Sequence, residues 1–157
     1  MFKSLTNVLN LKNRILSLKR NVLLRKNIRK LKNNNPTVIS SNCNGAFILH
    51  DLKLRFNSPF VNLWIKPKDF IKLLKNFDEY MRCKLDKITE GGIDYPIGKL
   101  KDIKIYFQHY STFEEAERKW EERKKRIDKE NLFVLFTDRV VLMMICWNLI
   151  SFQFAIK

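Results

Sequence analysis

Three polar clusters follow apolar runs in this chain, and each carries groups able to do chemistry. The first is Ser40-Ser41-Asn42-Cys43-Asn44-Gly45, the second Gln108-His109-Tyr110-Ser111 and the third Thr137-Asp138-Arg139. If the preceding runs are neighbouring strands, Cys43 or Ser41 supplies a nucleophile, His109 an acid/base and Asp138 an orienting carboxylate. A strand–turn–helix around Cys43 would also offer backbone N–H groups to an anion. Ser41, Asn42, Gly45, Ser58 and Tyr110 are the expected substrate-binding set, because polar turn residues hydrogen-bond sugars. The same residue types serve as turn formers. A thiol in a tight turn also packs as an inert group, and a histidine after a strand also serves structure.

Other chemistries lack their residues. Cys43, Cys83 and Cys146 are odd in number and far apart, with no CxxC or Cys/His cluster, so no metal site is expected. Reduced thiols in a cytoplasmic protein are the plain expectation. Gly91-Gly92 is not followed by Lys-Ser/Thr, so no phosphate loop is present. No cofactor is expected. Trp64 and Trp120 read as core, and His50 as a surface or packing residue.

Positioning these groups requires a sheet. The runs 37–41, 60–65, 101–107 and 131–138 read as strands, the last two beginning KDIKIYF and NLFVLFTD. Between them, AFILHDL predicts a short helix. DFIKLLKNFDEYMRCKL predicts one helix that starts near Lys66-Pro67-Lys68-Asp69 and has Phe70, Leu73, Leu74, Phe77 and Met81 on one stripe. TEGGIDYPIG reads as a loop. STFEEAERKWEERKKRI predicts an exposed helix. Its apolar edge is Phe113, Ala116, Trp120 and Ile127, with pairs Glu114/Arg118, Glu115/Lys119, Glu121/Lys125 and Glu122/Arg126 on the other side. Strands alternating with helices predict an α/β domain, a layered sheet with helices on its faces.

The 157-residue chain carries a formal charge of +15, distributed unevenly. Residues 1–32 hold ten of the 31 Lys/Arg and no acid; the remaining 21 face 16 Asp/Glu. Leu5, Val8, Leu9, Ile15, Leu16, Val22, Leu23 and Ile28 recur at roughly helical spacing. Residues 1–35 therefore form a basic helical arm, before the break at Asn33–Pro36. Such a helix suits either an anionic membrane surface or packing on a domain or partner chain. A nucleic-acid arm fits less well, since no aromatic platform accompanies the charge. Lys12, Arg14, Lys19 and Arg20 interrupt any signal-peptide core.

Residues 36–139 resemble one bacterial family through the segments VISSNCNGAFILHDLKLRFNSPFVNLWIKPKDFIKLLKN, YPIGKLKDIKIYFQHYSTFEEAERKWEERKKRI and NLFVLFTDR. It is a domain of unknown function often labelled an exopolysaccharide biosynthesis protein. Its pattern runs ISNNCWGG, SPF.GL, YPIG, HY…EA..KW..R..RI and TDRDGC. Ser41, Asn42, Cys43 and Gly45 match the first motif, whereas Asn44 replaces its Trp and Ala46 its second Gly. Ser58, Pro59, His109, Tyr110, Glu115, Ala116, Lys119, Trp120 and Arg123 match further along. The resemblance implies an α/β fold and work on surface polysaccharide. That work would be a transferase acting on a glycan or an activated sugar or acyl donor, or a non-catalytic glycan- or lipid-binding accessory.

The match of residues 36–139 stops at Arg139, where VVLMMICWNLISFQFAIK begins. One choice of synonymous codons, preceded by a G and read one nucleotide earlier, turns this tail into GCTYDDLLEFDKF, a continuation of the family kind. Residues 140–157 are therefore expected to be out of frame, and the domain truncated. A tail anchor is the weaker reading: residues 140–156 barely span a bilayer core of about 30 Å, and Asn148, Ser151 and Gln153 interrupt them.

Overall fold

The computed structural model describes the backbone of residues 2–138 and 141–147 and the side chains of residues 13–136. Among the described residues the chain order is helix α1 (Phe2–Lys30), strand β1 (Thr37–Ser40), α2 (Asn44–Asp51), β2 (Trp64–Ile65), α3 (Pro67–Lys75), α4 (Phe77–Arg82), β3 (Leu85–Ile88), β4 (Ile97–Leu100), β5 (Ile103–Tyr106), α5 (Phe113–Lys124), β6 (Leu132–Asp138) and β7 (Val141–Trp147). This is an α/β protein with a helix at its N-terminal side.

The strands form two sheets. One is mixed, ordered β1-β6-β7, with β1 parallel and β7 antiparallel to β6. The other is an antiparallel sheet, β2-β5-β4-β3. Ser41 joins them: its N–H donates to Leu135 of β6 at 3.3 Å, and its carbonyl accepts from Ile65 of β2 at 2.9 Å. One core lies between the sheets and helices, with Ile39, Ile65, Phe70, Leu73, Ile105, Phe107 and Val134 all buried. The pleat decides which residues enter it. Leu132 and Val134 face the core, while Phe133 between them does not.

Several boundaries differ from the sequence reading, each for a local reason. The run 60–65 is a strand only at Trp64–Ile65. Phe60, Val61 and Leu63 are apolar because the core buries them, but Asn62 at φ 59° turns the chain out of an extended path. The expected single helix after Lys66 is two, because Asn76 (φ −128°, ψ 39°) leaves helical geometry between α3 and α4. Pro67 begins α3, where its missing N–H costs nothing.

The strand expected at 101–107 is β5, shortened at its start because Lys101 at φ 59° lies in the turn of the hairpin β4–β5. β3 and β4 were not foreseen; the Tyr95-Pro96-Ile97-Gly98 segment enters a strand at Ile97. A Cβ at Gly98 would stand 2.6 Å from Leu85 Cδ1 and 3.0 Å from Phe107 Cε2. Glycine there lets the ring and the leucine close over the sheet. In α5 the expected edge is buried at Phe113, Ala116 and Trp120, and Thr112 caps the helix by accepting from Glu115 N–H at 3.1 Å. Glu122 pairs with Arg126 as spaced, but Glu121 takes Lys124 and Glu114 reaches Lys87 of β3.

Asn33–Pro36 is more than a break. Asn131 Nδ2 donates to Asn33 Oδ1 at 3.1 Å and to the Asn35 carbonyl at 2.9 Å. Buried Asn57 donates to Asn35 Oδ1 at 2.7 Å, and Thr37 N–H to the Asn131 carbonyl at 2.8 Å. The asparagines fasten the end of α1 to the start of β6.

Candidate functional site

Because β1 and β6 are parallel, with Ser40 opposite Leu135, their carboxyl ends lie at one sheet edge. That edge is where open α/β sheets take ligands. The cluster 40–45 stands there, and β6 runs on to Asp138. The Asp138 side chain lies outside the described residues. Tyr106, which ends β5, belongs to the other sheet, between β2 and β4. The expected row of neighbouring strands carrying Cys43, His109 and Asp138 is therefore not formed. The tie at Ser41 to Ile65 brings the β2 side of the second sheet to this edge instead.

The first cluster is largely occupied by its own structure. Ser40 Oγ accepts from the N–H groups of Asn42 (3.4 Å) and Gly45 (3.3 Å), and Asn42 Oδ1 from that of Asn44 (3.0 Å). The donors expected to meet an anion are thus engaged by side chains of the turn itself, as Ser and Asn do in such turns. Gly45 has a packing role: a Cβ there would lie 2.7 Å from Ser40 Cβ and 3.2 Å from Val38 Cγ1, so glycine lets α2 lie on β1. Ser58 is buried; its hydroxyl donates to the Val38 carbonyl at 2.5 Å and accepts from Phe60 N–H at 3.2 Å. It holds the 57–63 loop to β1 and does not face a ligand. Ser41 is buried as well, at the sheet junction.

Cys43 is half-buried, with Sγ 3.9 Å from the Leu63 carbonyl. Burial pushes its thiol up from the ordinary cysteine range, opposite to what an activated nucleophile needs. Tyr110 and Cys43 meet at the same loop, since each reaches a carbonyl of residues 61–63. The Tyr110 hydroxyl donates to the Val61 carbonyl at 3.1 Å and accepts from Arg123 Nη1 at 2.8 Å. Burial is the main cause raising the Tyr110 pKa, and the Arg123 charge opposes it. Asn62 therefore sits between two carbonyls held by Tyr110 and Cys43. Its left-handed backbone accounts for glycine at this place in the SPF.GL pattern.

Arg123 completes the cluster. Its guanidinium lies 5.6 Å from the centre of the Phe56 ring and bonds Tyr110, while neighbouring Arg126 donates to the Phe56 carbonyl at 3.3 Å. Among the described residues no carboxylate pairs with Arg123, although Arg126 is paired with Glu122. His109 is exposed on the turn closed by Tyr110 N–H to the Phe107 carbonyl, with no hydrogen-bond partner among the described residues. The structure thus brings together Cys43 and Tyr110, adds Asn62 and Arg123, and leaves His109 beside them in solvent. The same turn continues into a cleft of about 360 Å³ lined by Ser111, Thr112, Glu90, Asp94 and Tyr95. Among the described residues no group of His, Cys, Asp and Glu is arranged to hold a metal ion.

Residues 14–144 match the profile of a domain of unknown function, DUF1919. The chain belongs to this family. The match takes in most of α1 and reaches into β7. An uncharacterized protein of Haemophilus influenzae is 52% identical over 112 residues, 71% of this chain and 53% of that protein. The chain thus spans about half the length of this curated relative. Sequence reasoning passed over Asn62 and Arg123 as site residues. The signal for Arg123 was available: it lies one turn after Lys119-Trp120, on the side of α5 that also carries buried Trp120.

Proposed function

We propose that this DUF1919 protein works in the synthesis of cell-surface polysaccharide and handles an anionic, activated glycan precursor. The observation that carries the reading is Arg123, a half-buried guanidinium held by Tyr110 and Phe56 without a carboxylate among the described residues. A planar fork of this kind suits the phosphates of a sugar donor. The cleft beyond Ser111 supplies that hydroxyl, Asp94 and Tyr95, groups that suit a glycan, while Thr112 and Glu90 are engaged by α5 and Lys104. His109, free at the same turn, is the acid/base group in this reading. The resemblance given by the SNCNG, YPIG and HY…EA..KW..R motifs supports the polysaccharide context.

A second reading, a non-catalytic glycan-binding accessory, is favoured by one observation: the Cys43 thiol is pushed up by burial, so no activated nucleophile adjoins Arg123. In both readings residues 140–157 are the out-of-frame tail, and sequencing of the gene around codon 140 decides that point.

The test is thermal denaturation with a panel of nucleoside diphosphate sugars. A true donor raises the Tm in proportion to the logarithm of its concentration, and Arg123→Gln removes that rise. No rise with any sugar nucleotide, or an equal rise in Arg123→Gln, overturns the reading. His109→Ala separates the two roles, since it abolishes glycan transfer in the first and leaves binding intact in both.

A further inference from the structure

We infer that α1 seats the protein on an anionic phospholipid bilayer. Over residues 13–30 the α1 side chains are exposed except for Leu24 and Ile28, which are partly covered. Leu24, Ile28 and then Leu31 recur at i, i+4 and i+7 and turn one side of the helix toward the domain. Arg20 ties the same side to Asp51 of α2 at 2.6 Å. The opposite side carries Ile15, Leu18 (63% exposed) and Val22 (65%), with the exposed Leu16 and Leu23 on its flank.

By helical spacing Lys19, Lys26 and Lys30 fall among these aliphatic residues. Long lysine stems can lie along acyl chains while their heads reach the phosphates. The groove that Ile48 lines with Leu31, Val38 and Leu54 lies on the domain side of α1 instead.

Charge selects the occupant. Residues 1–32 hold ten cations and no acid, so a second copy of α1 would meet the same charge and be repelled. Phosphate contacts along a nucleic acid would leave five aliphatic side chains in water, and Phe2 is the one aromatic residue in 1–32 available to stack on a base. An anionic bilayer satisfies both the charge and the aliphatic face. Among the described residues no helix is long and apolar enough to cross a membrane; the geometry is that of a helix lying on one.

The experiment is co-sedimentation of the full chain with vesicles of phosphatidylcholine alone and of phosphatidylcholine mixed with phosphatidylglycerol. Binding is expected to the mixed vesicles. Exchange of Lys19, Lys26 and Lys30 for Gln should weaken it by about fivefold per lysine, roughly a hundredfold together. Leu18→Ser with Val22→Ser and Leu23→Ser should weaken it as well. These side chains are exposed, and circular dichroism checks that both variants remain folded. Equal binding to neutral vesicles, or unchanged binding in both variants, overturns the inference. So does an α1-dependent dimer or oligonucleotide complex without binding to the mixed vesicles.

Discussion

Helices α1 and α5 are both rich in charge, yet the molecule uses them in opposite ways. α5 alternates acids and bases, spends them on pairs such as Glu122–Arg126 and Glu121–Lys124, and buries Phe113, Ala116 and Trp120. α1 carries cations without acids over residues 1–32 and turns aliphatic residues outward. In α5 the apolar residues serve the core and the charges serve solvent. In α1, over residues 13–30, only Arg20, Leu24 and Ile28 turn to the domain, and the other side chains face away from it.

That contrast can be broken by substitution. The largest expected effect is Trp120→Ala. Trp120 is 1% exposed, 5.3 Å from the Phe60 ring and 6.2 Å from the Phe107 ring. Its loss should cost about 3–5 kcal/mol in urea denaturation. A loss below that of an ordinary surface change would mean that α5 does not anchor the core. Thr112→Ala removes the α5 cap and should cost about 1 kcal/mol, visible as a lower midpoint with unchanged slope. Leu18→Ser with Val22→Ser should change stability least, within about 0.5 kcal/mol. A larger loss would show that the outward side of α1 belongs to the fold after all.

The sequence announced α5 clearly because its signals agree: cap, first-turn acids, paired charges and one apolar edge. The α/β class followed from the alternation of runs. The second sheet was harder to see. Pro96 and Gly98 read as loop residues, although Gly98 is required where Leu85 and Phe107 close over β4. Phe60–Leu63 imitated a strand because burial, rather than extension, made it apolar. At the site, residue type suggested chemistry that the neighbours had already claimed. Asn42 and Ser40 bond the turn, Ser58 bonds β1, and Gly45 makes room for α2. Arg123 stood out only by its KW..R spacing in α5; that it faces a tyrosine and not a glutamate is set by the fold.

The asparagine joint between Asn33, Asn35, Asn57 and Asn131 has a mechanical consequence. A polar linker without such bonds would act as a loose tether, letting the domain swing freely below α1. Here the linker is pinned at the first residues of β1 and β6, so α1 behaves as a strut. Whatever α1 rests on, these amide hydrogen bonds and the Arg20–Asp51 pair hold the domain against it.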